Sequence, residues 1–152
     1  MRYKLTIEYN GTGLLGWQRQ LDGPSVQQYL EEGLLDIAGA VRHDNELVEC
    51  LTDAGVHALA QVAHIDLDRS MEPFKIREAF NANLRLKEAP VVVLEVEPVN
   101  DDFHARFSAR GRGYIYRILN RRAASALREN RVWWVPLPLD LEKMRQGAGY
   151  LI

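Results

Sequence analysis

The sequence predicts an α+β fold: a ferredoxin-like split βαβ unit, with an antiparallel sheet, helices on one face, and further strands extending the sheet. Two observations carry this. Apolar residues alternate by two in several short segments and recur at helical spacing in two longer ones. The segments also follow one another as β-α-β-β-α-β, the order of that unit.

Residues 3–9, Tyr-Lys-Leu-Thr-Ile-Glu-Tyr, alternate and form the first strand. Asn10 to Gly16 is rich in glycine and must turn, leaving Leu14, Leu15 and Trp17 either packed or exposed as a contact surface. Ser25 and Gln28 follow Pro24 in a capping-box pattern. Val26, Tyr29, Leu30, Gly33, Leu34, Ile37 and Ala38 then recur at helical spacing, so a helix runs over about 25–39, with Gly39 at its C-terminal end. Glu46 to Leu51 is a short strand. Val56 to Leu67 is a longer one, with Val56, Ala58, Ala60, Val62 and His64 on one face.

Ser70 to Leu86 is the second helix, entered through Pro73 and built on Phe74, Ala79, Phe80 and Leu84. Pro90 precedes the strand Val91–Val96. Further strands are expected at about 104–109 and 113–119, and a short one at Val132–Val135 whose Trp133 and Trp134 are assigned to the core. Leu139 to Ile152 opens a last helix with Leu141, Met144, Ala148 and Leu151. Its apolar face is still running at the last residue, which predicts a fragment, because domain boundaries normally fall in polar linkers.

The chain has 152 residues, 47% hydrophobic and 26% charged, enough for one core, so one domain spanning 1–152 is expected. The net charge of −2 gives no sign of a nucleic-acid partner. The distribution does. After Asp102 no acidic residue occurs before Glu129, and Arg106, Arg110, Arg112, Arg117, Arg121, Arg122 and Arg128 fall in that interval. Phe103, Phe107, Tyr114 and Tyr116 are interleaved with them. Arginines for phosphates and aromatic faces for bases make an RNA-contacting surface; a strand pair with a solvated arginine face would look the same.

The single cysteine, Cys50, excludes a disulfide within the chain and fits a reducing compartment. Its neighbours Val48 and Leu51 make it a buried structural thiol. There is no signal-peptide pattern and no apolar run near membrane length, so the expected location is the cytoplasm, with no membrane partner. No Walker loop or dinucleotide fingerprint appears, and His43, His57, His64 and His104 are scattered, so no metal and no cofactor is expected.

The most informative stretch is Leu51-Thr52-Asp53-Ala54-Gly55-Val56-His57-Ala58, a carboxylate in a tight turn that runs into an apolar strand. Taken alone, Asp53 is an Asx-turn residue bonding the amides of Gly55 or Val56. His57 and His64 are more often satisfied core residues than bases, and His57 is assigned to holding the turn. Three other segments stand beside this one: Tyr9-Asn10-Gly11-Thr12-Gly13 with Gly16-Trp17-Gln18-Arg19-Gln20, Gly23-Pro24-Ser25-Val26-Gln27, and Phe103-His104-Ala105-Arg106-Phe107-Ser108-Ala109. Together they resemble the bacterial tRNA pseudouridine synthases of the TruA family, along the whole of residues 1–152.

The resemblance implies a pseudouridine synthase-like fold and conversion of uridine to pseudouridine at positions 38–40 in the anticodon arm of tRNA. It makes Asp53 the catalytic carboxylate and Tyr114, in Arg112-Gly113-Tyr114-Ile115-Tyr116, the residue that stacks on the target base. On a strand, Tyr114 and Tyr116 would share a face. Gln18, Arg19, Gln61 and Arg106 match polar family positions, and with His57, Arg110 and Arg112 they are the expected RNA contacts. The resemblance also implies a homodimer, a tRNA anticodon stem-loop as partner, no cofactor, and a second half of similar architecture. Whether the carboxylate acts on the base or at C1′ stays open. One departure stands out. The family reads Cys-Ala-Gly-Arg-Thr-Asp-Ala-Gly, whereas this chain reads Cys50-Leu51-Thr52-Asp53-Ala54-Gly55. The arginine that would orient the carboxylate and help hold the flipped nucleotide is absent. The other reading of these residues is a non-catalytic RNA-binding ferredoxin-like domain.

Overall fold

A computed structural model describes residues 1–38, 48–49 and 52–151. The expectations for Gly39, His43, Cys50 and Leu51, and for most of the strand around residue 48, lie outside the described residues. The chain forms two compact units, Met1–Gly111 and Arg112–Ile152.

The first unit is α+β. Its elements are β1 (Arg2–Tyr9), α1 (Val26–Ala38), β2 (Val48–Glu49), β3 (Ala58–Asp66), α2 (Pro73–Leu86) and β4 (Val91–Val99). The four strands form one antiparallel sheet in the order β2-β3-β1-β4. Alternation on β1 sends Tyr3, Leu5, Ile7 and Tyr9 into the core. There they meet Val26, Leu30, Leu34 and Ile37 of α1 and Ile76, Phe80 and Leu84 of α2, each set spaced by three or four residues as one helical stripe requires. Each such fully buried side chain contributes roughly 1.5–3 kcal/mol. Phe74, expected to help build α2, is exposed and lies under the Arg77 guanidinium; Ile76 takes the inward position.

Two β-bulges change which residues face inward. On β4, Thr6 pairs with Glu95 but Ile7 pairs with Val93, so Leu94 is extra and the buried set reads Val91, Val93, Val96. On β3, Ile7 pairs with Gln61 but Tyr9 with Ala58. Ala58 therefore packs on the core with the odd-numbered Ala63 and Ile65, while His64 lies on the other face. The single face expected for Val56, Ala58, Ala60, Val62 and His64 is split by that bulge.

Ser25 caps α1 as expected: its Oγ accepts the Gln28 N–H at 3.2 Å. Arg2 grips Asp66 with two bonds, Nε to Oδ1 at 2.9 Å and Nη2 to Oδ2 at 2.7 Å, and Nη1 also donates to the carbonyls of Asp101 and Phe103. These bonds hold the Asp66 carboxyl below the usual carboxylate range. They also fasten residues 101–103 to the start of β1, beside the end of β3. The segment that follows, expected as a strand over 104–109, is a turn. The His104 carbonyl accepts the Ser108 N–H at 2.7 Å, and His104 Nδ1 lies in reach of the Arg106 N–H at 3.2 Å. These local bonds take up the groups a strand ladder would need.

In the second unit β5 (Ile118–Asn120) and β6 (Trp133–Val135) pair in parallel, followed by α3 (Leu141–Ala148) and a 3-10 turn (Gly149–Leu151). The two strands pair with each other and do not extend the four-stranded sheet. Asn120 clips the exit from β6: Nδ2 donates to the carbonyls of Val135 and Leu137, and Oδ1 accepts the Leu139 N–H. Trp133 and Trp134, expected in the core, are 56% and 43% exposed. Residues 111–117 are in no strand. The expected strand over 113–119 is reduced to Ile118–Asn120, because β6 offers a ladder only to those three residues. Tyr114 and Tyr116 therefore do not share a strand face, and both are exposed.

Candidate active site

Asp53 sits at the tip of a turn clamped by a loop from the other end of β1. The Val56 N–H donates to the Asp53 carbonyl at 3.3 Å, closing the turn over Ala54 and Gly55. The Gly55 N–H donates to the Leu14 carbonyl at 3.2 Å, and the Trp17 N–H to the Thr52 carbonyl at 3.1 Å. The hydroxyls of Tyr9 and Thr52 are 2.7 Å apart. His57 Nδ1 accepts the Gly11 N–H at 3.1 Å. The residues on both sides of Asp53 are thus bonded to the Tyr9–Trp17 loop.

This approach explains two glycines. A Cβ on Gly11 would lie 2.1 Å from the Val56 carbonyl oxygen, and one on Gly16 would lie 2.5 Å from that of Thr52. Gly16 also has φ +97, a conformation side chains resist. The loop is fixed at its far end as well. The Gly16 and Trp17 carbonyls accept the N–H groups of Val26 and Gln27, two of the donors that the start of α1 leaves unpaired. Trp17 is fully buried and packs edge-on against Tyr9, ring centroids 6.0 Å apart. Leu14 is buried beside them, so this stretch is core and not a contact surface.

The Asp53 carboxylate is not needed for the turn. The two amides that an Asx-turn would use, those of Gly55 and Val56, already bond the carbonyls of Leu14 and Asp53. Asp53 is exposed, and among the described residues its carboxylate has no hydrogen-bond or ion-pair partner. Its backbone is held while its side chain is presented to solvent.

The other expected residues divide. Gln18 and Arg19 follow Trp17 directly and are exposed, but the Arg19 guanidinium is engaged with Glu31 at 2.9 Å and its main-chain N–H donates to Gln27 Oε1 at 3.0 Å. Gln61 pairs with Ile7 and is half-buried on that face of the sheet. Arg106 lies in the 104–108 turn, which packs on the opposite sheet face: the Ala105 N–H donates to His64 Nδ1 at 3.2 Å, and Phe103 meets the His64 ring edge-on. Arg106 itself stands over the Phe107 ring and, like Arg110, is exposed. Arg112 and Tyr114 belong to the second unit and are exposed there. In that unit Arg117, Arg128 and Arg131 line one cleft with Leu127 and Val132. Arg121 is spent locally, donating to the carbonyls of Ala123 and Ala124. Among the described residues no group of three or more His, Cys, Asp or Glu is placed to hold a metal ion, and no helix is long and apolar enough to cross a membrane.

No family model matches the chain. Individual curated proteins do. It is 52% identical to tRNA pseudouridine synthase A of Rhodospirillum centenum over 99% of its length, covering 60% of that protein. It is 54% identical to tRNA pseudouridine synthase A of Nitrobacter winogradskyi over 99% of its length, covering 58% of that protein. Over 99% of its length the chain is similar to these tRNA pseudouridine synthases A. It spans a little over half the length of the curated relatives it matches.

The sequence pattern singles out Asp53, His57 and the glycines of the loop, but not the Tyr9–Thr52 hydroxyl pair. A tyrosine ending a strand reads as core, and a threonine before an aspartate reads as turn. The signal was the polar group itself: a fully apolar site would be filled as well by Phe and Val.

Proposed function

We propose that the chain supplies the carboxylate-bearing part of an enzyme that isomerises uridine to pseudouridine at positions 38–40 in the anticodon arm of tRNA. The reaction breaks the C1′–N1 bond, joins C1′ to C5, removes the C5 proton and returns a proton at N1. Asp53 is the reacting carboxylate, at the base or at C1′. The observation that carries this is the exposed Asp53 side chain on a turn whose backbone bonds are satisfied without it. The name these relatives carry, tRNA pseudouridine synthase A, supports the substrate class.

In this reading residues 1–152 are the N-terminal catalytic and RNA-binding domain of a cytoplasmic homodimer that uses neither metal nor cofactor. The strand order β2-β3-β1-β4 with two helices supports a ferredoxin-like split βαβ arrangement. The exposed Tyr114 stacks on the flipped base. Gln18, Arg19, His57, Gln61, Arg106, Arg110 and Arg112 contact the RNA or orient groups that do, and Arg106, Arg110 and Arg112 are exposed as phosphate contacts must be.

One observation favours a second reading. Leu51 stands where the family pattern has arginine, so no cation immediately precedes Thr52-Asp53. A non-catalytic RNA-binding domain would tolerate that change. Proton release from tRNA labelled at uridine C5 separates the two. Release that Asp53→Asn abolishes, with tRNA binding retained, supports catalysis. Binding without any release supports the second reading, and loss of binding with Asp53→Asn makes Asp53 structural.

A further inference from the structure

We infer that the Tyr9 hydroxyl is a positioning residue for the Asp53 carboxylate, acting through Thr52; this rests on the reading of Asp53 as the reacting group. Tyr9 is 3% exposed and closes β1 on the core side of the sheet, where its ring packs against Trp17. A ring in that place needs no hydroxyl for packing, and a buried hydroxyl is costly unless bonded. Its oxygen lies 2.7 Å from Thr52 Oγ1, one residue before Asp53. Thr52 is doubly held, since its carbonyl also accepts the Trp17 N–H at 3.1 Å.

The main-chain bonds at Thr52 and Gly55 fix where the turn lies. The Asp53 side chain is at its tip. The Tyr9 hydroxyl adds a side-chain bond at Thr52, the residue next to Asp53, and this bond limits how the tip can turn. Its other end is a core ring, so the precision of the core is transmitted to an exposed carboxylate. The Leu51 side chain offers neither charge nor hydrogen bond, so the Tyr9–Thr52 bond carries the orientation. A reacting group misplaced by about 1 Å loses on the order of a hundredfold in rate without losing substrate affinity.

The test uses Tyr9→Phe, Thr52→Val, their double variant and Thr52→Ser, all close in volume to the original. The first readout is amide hydrogen exchange in the intact 152-residue chain. Tyr9→Phe and Thr52→Val each speed exchange at Gly55 and Trp17 roughly tenfold, while core amides such as Leu5 are unchanged. Thr52→Ser keeps the protection. Unchanged exchange at Gly55 and Trp17 overturns the inference. The second readout is C5 proton release: kcat falls at least tenfold with KM and tRNA affinity unchanged, the double variant is no worse than either single one, and Thr52→Ser restores the rate. Additive losses, or a loss of tRNA affinity matching the loss of rate, also overturn it. Release that survives Asp53→Asn defeats the reading of Asp53 instead. If the unaltered chain releases no C5 proton, the exchange readout alone decides whether Tyr9 holds the turn.

Discussion

Three glycines in one loop separate two physical costs that usually arrive together. At Gly13, φ is +79 and nothing lies within 4 Å of a built Cβ, so Gly13→Ala meets only backbone strain, about 1–2 kcal/mol. At Gly11 φ is ordinary, but the Cβ would stand 2.1 Å from the Val56 oxygen and 2.6 Å from its carbon. No flexible side chain can yield there, so loop and turn must part. Gly11→Ala then costs an overpacking loss of about 1–3 kcal/mol, or, if loop and turn separate, the Gly11–His57 and Gly55–Leu14 bonds at ~1 kcal/mol each. Gly16 has both defects, φ +97 and a Cβ 2.5 Å from the Thr52 oxygen, so Gly16→Ala loses about 2–5 kcal/mol. Urea unfolding followed by Trp17 fluorescence measures these losses, because Trp17 is fully buried while Trp133 and Trp134 are about half exposed. The expected order is Gly16 worst, and Gly11 losing stability despite its ordinary φ. A Gly11→Ala midpoint equal to the original, or equal losses at Gly13 and Gly16, would refute the claim that the loop is pressed against the Asp53 turn.

Other outcomes follow from single contacts. Ser25→Ala removes the N-terminal cap of α1 and lowers stability by about 1 kcal/mol in the same urea titration. Asp66 is held below the usual carboxylate range, chiefly by its hydrogen bonds to Arg2, so folding favours its ionised form. Its contribution is present above the unfolded value of about 3.9 and is lost as pH falls through the lower folded value. Asp66→Asn therefore lowers the urea midpoint at neutral pH, and the gap to the unaltered chain closes below about pH 4; a constant gap across that range contradicts the ion-pair account. If the exposed arginines grip phosphate, tRNA affinity falls linearly on a log–log plot against salt, and Arg106→Ala lowers the slope by about one. Salt-insensitive binding would remove the arginines from the interface.

The elements that were legible in the sequence are those whose signal is local. Alternation over 3–9 and the helical spacing from Val26 and through Phe80 and Leu84 are properties of a few consecutive residues, and the structure places β1, α1 and α2 within a few residues of the expected bounds, with Ile76 in place of Phe74 on the buried stripe. The Ser25 cap was legible for the same reason. The segments that misled also had a local pattern, but depended on a partner. Residues 104–109 alternate, yet His104 and Ser108 close a turn with each other. Trp133 and Trp134 are apolar, yet β6 has only three residues of β5 beside it.

For the candidate site the division is the same. Sequence alone determined the family pattern, Asp53 as the residue to watch, and the departure at Leu51, because residue types in order are all that such a pattern contains. Only tertiary structure decided that the amides of Gly55 and Val56 are already satisfied, that Gly11 and Gly16 are pressed on the turn, and that Tyr9 reaches Thr52 across 43 residues of chain. The physical reason is that a hydrogen-bond partner or a steric limit set by distant backbone leaves no mark on neighbouring residues; it exists only once the sheet and α1 have brought the loop and the turn together.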